Sequence, residues 1–139
     1  MKLGSIWYLF AILSTAVVAP SAAWAHCWNY SEVASAAHEF SVETEHFHEL
    51  IHDLTGFSHL AADTHRLAAD AEYFHQDVEV GVDCSYIRSE FRHIANDYRH
   101  LERALQLADH ARHNDHVMRD WEDVHFAFHN VEDAVLQSR

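Results

Sequence analysis

Glu45, His48 and His52 form a triad of metal-ligating side chains, and Glu122, His125 and His129 repeat it. Both triads sit in one ten-residue pattern at 45–54 and 122–131, Glu-x-φ-His-x-x-φ-His-[Asp/Asn]-φ with φ apolar. On a helix, residues three and four apart are surface neighbours, so the three side chains of each triad stack along one stripe. A lone Glu and His at that spacing is an ordinary helix-surface pair, worth roughly 0.2–0.5 kcal/mol. Duplication of the whole triad is what points to ligation.

A carboxylate and two imidazoles suit a divalent transition ion, with Zn(II) or Cu(II) foremost and Ni or Fe as further candidates. Soft ligation of Cu(I) lacks its donors, since Met118 is the only methionine after the initiator. A third stripe, His93, Asp97 and His100, has similar spacing among arginines. His26 adds another candidate: as a new amino terminus, its imidazole and α-amino group would form a bidentate chelate for Cu(II). Glu-x-x-His pairs also build the di-iron centres of ferritin-like bundles, but there the ligands point inward. Here the inward positions are apolar, which argues against a buried oxidase centre.

The elements that position these residues follow from an apolar spacing that alternates four and three. Val33, Ala37, Phe40, Thr44, Phe47, Ile51 and Leu54 define a helix over about 30–54. Leu60, Thr64, Leu67, Ala71, Phe74 and Val78 define a second over 58–79. The third, 85–112, carries Ile87, Phe91, Ile94, Tyr98, Leu101, Leu105 and Ala108; the fourth, 115–137, carries Val117, Trp121, Val124, Phe128, Val131 and Val135. This is the period of bundle helices packed at a shallow angle, and no stretch alternates like a strand. Gly56, Gly81 and Asn114-Asp115 mark short turns, so the expected fold is all-α, an up-down-up-down antiparallel four-helix bundle. In that arrangement the first and fourth helices are neighbours, and the two triads fall within about 5–10 Å of one level. The sequence thus predicts one shared site.

Residues 1–25 read as a cleaved signal peptide: Lys2, an apolar run from Ile6 to Ala19, and Ala23-Trp24-Ala25 as the cleavage motif. The run is short for a membrane span and no second one follows, so the mature domain, 26–139, is expected in the periplasm or outside the cell with no membrane anchor. In an oxidising compartment Cys27 and Cys84 are expected to form a disulfide, which the bundle topology allows by placing both at one end.

The net charge is −13 with neutral histidines, and Lys2 is the only lysine, which makes nucleic acid a poor partner. Fifteen histidines in 139 residues are the compositional anomaly. The first expectation is therefore an exported metal-binding protein and not an enzyme. A rival is a pH- or envelope-stress-responsive interaction protein, because protonating all fifteen would cancel the negative charge. A metal-pair oxidase on the bundle comes third. No particular protein partner is indicated.

Overall fold

The computed structural model describes residues 29–54 and 56–136. Its elements are α1 (Tyr30–Asp53), α2 (Ser58–Val80), α3 (Cys84–Leu107), α4 (Asp109–Arg112) and α5 (Asp115–Leu136). All described elements are helical. The proposed leader, His26 and Cys27 lie outside the described residues.

Each long helix buries the stripe that its apolar spacing marks out. Every seam residue of α1, α2 and α5 is buried except Leu54, which follows α1, and the α3 seam is buried from Ile87 to Leu105. The two seam threonines satisfy their own hydroxyls: Thr44 donates to the Phe40 carbonyl at 2.8 Å and Thr64 to the Ala61 carbonyl at 3.1 Å. Turn chemistry ends the helices as expected. Gly81 adopts φ 81°, and its N–H and that of Val82 return to carbonyls of the last turn of α2. Asp83 caps α3 by accepting from the Ser85 N–H, and Asn114 caps α5 by accepting from the His116 and Val117 N–H groups.

One element departs from the sequence expectation. The segment 85–112 is not a single helix but breaks at Ala108, whose φ of −88° and ψ of 91° are extended. Leu107 stays in solvent, while the single turn of α4 places Ala111 in the core. The break re-phases the chain so that its end can close over the core before α5 begins.

Contacts between side chains show that neighbouring helices run antiparallel. Phe40 meets Phe128 and Phe47 meets Trp121 across α1 and α5; Phe74 meets Phe91 across α2 and α3. Across α1 and α2, stepping from residue 38 to 41 to 48 is matched by stepping from 75 to 72 to 65. Between α3 and α5 the spacers are large rings. Tyr98 stacks on Phe128 at 3.9 Å and on Trp121 at 5.1 Å, and Phe91 stacks on Phe128 at 5.6 Å. These rings hold the two backbones further apart than those of the other neighbours. No described helix is long and apolar enough to cross a membrane.

Candidate functional site

Glu45, His48 and His52 follow one another along the edge of α1 and, with Glu49 and Asp53, line a depression of about 480 Å³. The helix register explains this placement, since each triad residue flanks the buried seam instead of joining it. His48 is half-buried because it leans across α2. Its Nδ1 lies 3.4 Å from the Thr64 hydroxyl, and its ring centroid is 5.0 Å from that of His65 and 6.1 Å from that of His52. His65 joins this group from the neighbouring helix.

On α5 the second triad is arranged differently. His125 and His129 stand edge to face at 4.5 Å. The His125 Nδ1 is hydrogen-bonded to the Tyr98 hydroxyl from α3, which leaves Nε2 as its outward nitrogen. Burial, followed by the charges of Glu102 and Glu132, raises the Tyr98 pKa above its ordinary value and keeps the phenol protonated. His129 places Nδ1 3.0 Å from Glu132, so the carboxylate that meets this pair is Glu132, while Glu122 is exposed one turn before His125.

The two triads do not meet. His48 faces the junction of α1 with α2, and His125 faces the junction of α5 with α3. The expectation of one site shared by the first and last helices is corrected to two loci in separate grooves. Their spacing is nonetheless informative. Two imidazoles bound to one tetrahedral Zn(II) at about 2.0–2.1 Å per Zn–N bond have ring centroids about 5 Å apart. The His48/His65 and His125/His129 pairs stand near that separation. Among the described residues no three His, Cys, Asp or Glu side chains already converge as a complete ligand set. Any binding therefore involves side-chain adjustment.

The third stripe is divided. His100 Nε2 reaches Asp63 on α2 at 3.3 Å. His93 and Asp97 instead line a cavity of about 570 Å³ between α2 and α3, together with Asp70, Tyr73, Asp77, Tyr86 and Glu90. Asp70 is pushed up to about 6 by burial first, then by the hydrogen bond and charge of Asp97, against the opposing pull of Arg66. Because this exceeds the ordinary 3.8, the folded protein holds a proton that the unfolded chain has released between those values. The resulting stabilisation is full below about pH 4 and lost as pH rises through about 6. Asp70→Asn should therefore raise the melting temperature at pH 7.5 and change it little at pH 4, which thermal unfolding followed by circular dichroism at both pH values will show.

At the end of the molecule where α1 turns into α2, Gly56 and Phe57 lie beside His110, His113 and His116 around a cavity of about 1070 Å³. His113 is tied there, its Nδ1 lying 2.7 Å from the Asp109 carbonyl oxygen. None of these three histidines belongs to the repeated pattern. His65 and Glu132 were missed because neither belongs to the repeated pattern. The signal that finds His65 is its place beside seam residue Thr64, once α2 is laid antiparallel to α1.

Comparison with known proteins adds no family. No family model, no curated protein and no solved structure matches this chain. The functional reading rests on the residues themselves.

Proposed function

We propose that this chain is an exported binder of divalent transition ions. In this reading residues 1–25 are a cleaved signal peptide, and 26–139 form an up-down-up-down four-helix bundle stapled by Cys27 and Cys84. Zn(II) or Cu(II), with Ni and Fe as further candidates, is held on histidine-bearing grooves, and the protein sequesters or carries the ion without transforming a substrate. The observation that carries the reading is the gathering of His48, His52 and His65, from two helices, at centroid separations of 5.0 and 6.1 Å. Glu45 and Glu49 stand beside them to supply charge. His125, His129 and Glu132 make the second locus. Support for the staple comes from Tyr30, whose hydroxyl donates to the Glu79 carbonyl at 2.9 Å and brings the start of α1 beside the end of α2.

A pH-responsive interaction protein is the second reading. Imidazoles facing carboxylates favour it: His75 at 3.3 Å from Glu79, His100 at 3.3 Å from Asp63, and His129 at 3.0 Å from Glu132. Metal titration separates the two. With Zn(II) at pH 7, His48→Ala and His125→Ala should each remove one binding event, and the double variant should lose both additively, because the loci share no ligand. Wild-type protein that takes up no Zn(II), Cu(II) or Ni(II) would leave only the charge-responsive reading.

A further inference from the structure

We propose a separate inter-helix site for a divalent transition ion, formed by His38 of α1 with His75 and Glu72 of α2. It rests on the reading that the chain binds such ions, and it adds a locus that the repeated triads do not contain. His38 and His75 face each other across the α1/α2 junction with ring centroids 4.9 Å apart, the separation at which two imidazoles serve one tetrahedral ion.

The surroundings of His75 divide the roles of its two nitrogens. Its side chain is only 13% exposed. Nε2 lies 3.3 Å from a Glu79 carboxylate oxygen. Nδ1 lies 3.7 Å from Glu72 Oε2, too far for a hydrogen bond. Nδ1 is buried without a hydrogen-bond partner. In the tautomer that leaves Nδ1 unprotonated, this nitrogen and the Glu72 oxygen are two acceptors that one cation satisfies. In a tetrahedral Zn(II) site, nitrogen and oxygen ligands lie about 3.3 Å apart, so a small approach closes the gap.

Glu72 is prepared for such a role. Ser41, buried in α1, donates its hydroxyl to Oε2 at 2.6 Å, and Gln76 donates to Oε1 at 2.7 Å. These two donors hold the Glu72 carboxyl below the ordinary carboxylate range, so it is ionised at neutral pH. Oriented ligand carboxylates and a carboxylate-bound imidazole are the supporting arrangement that tunes metal sites. An ion held here ties α1 to α2 from both sides of the junction.

The test is calorimetric titration of the full mature protein with Zn(II) at pH 7, on wild type, His38→Gln, His75→Gln, Ser41→Ala and His48→Gln. The expected result is that His38→Gln and His75→Gln lose the same single ion, which His48→Gln retains. Ser41→Ala should weaken that ion about tenfold by releasing Glu72. His38 is exposed, so its substitution leaves the fold intact even if His75→Gln does not. Wild type that binds Zn(II) while His38→Gln keeps full stoichiometry and affinity overturns this site and leaves the other loci standing. Wild type that binds no Zn(II) overturns both.

Discussion

Phe128→Ala should destabilise the domain by about 3–5 kcal/mol, the usual cost of emptying an aromatic position in a close-packed core. The upper end is expected, because this ring is 2% exposed and serves three helices. It stacks on Tyr98 and Phe91 of α3 and meets Phe40 of α1. Aromatic pairs contribute about 0.5–1.5 kcal/mol beyond area burial, and no neighbour can collapse into the gap without breaking another pair. Against a total stability of about 5–15 kcal/mol for a domain of this kind, the variant is left marginal. Loss of the Tyr98 stack should also loosen the hydroxyl that holds His125. Urea unfolding of Phe128→Ala beside Phe126→Ala checks this. Phe126 is 64% exposed and should cost less than about 0.5 kcal/mol. Equal effects would contradict the aromatic spacing of α3 and α5.

Reduction of the proposed Cys27–Cys84 bond should cost up to about 4 kcal/mol, because it frees a loop of nearly 60 residues in the unfolded chain. The helices should stay assembled below the lowered transition, since their seams are buried independently of the staple. Mass measurement of the exported protein with and without alkylation decides the pairing. Two alkylatable thiols in the unreduced protein would contradict it.

Much of the fold was written in the apolar spacing. Alternating four and three fixes which stripe of a helix is buried, and burial is what docks it, so seam residues such as Phe40, Leu67, Ile94 and Val124 fell where the pattern put them. The break at Ala108 was not legible, because no glycine or proline marks it. It follows from the need to carry Ala111 back over the core.

For the site, the sequence placed His48 and His125 beside their seams but not the neighbour each would face. His48 follows Phe47 and His125 follows Val124, so they occupy the same flank of their helices. Antiparallel neighbours meet on like flanks. Whether α1 turns its histidine flank to α2 or to α5 depends on the hand in which the helices wind around the core. Apolar spacing is the same for either hand. The structure has the hand that sends His48 to His65 and His125 to Tyr98, and it thereby separates the triads. For the same reason His38 and His75, unremarkable alone, become a pair only when α1 and α2 are docked.

The central claim is that neutral imidazoles on these grooves bind divalent metal, and thermal unfolding with Zn(II) at pH 7 and again near pH 5 tests it most directly. At a hundredfold excess over the dissociation constant, a ligand confined to the folded state adds about 2.7 kcal/mol, a rise on the order of 10 °C for a domain of this size. Protons compete for the same nitrogens, so the rise should be present at pH 7 and largely gone at pH 5. An unchanged melting temperature at pH 7 with Zn(II), Cu(II) and Ni(II) alike would contradict the account.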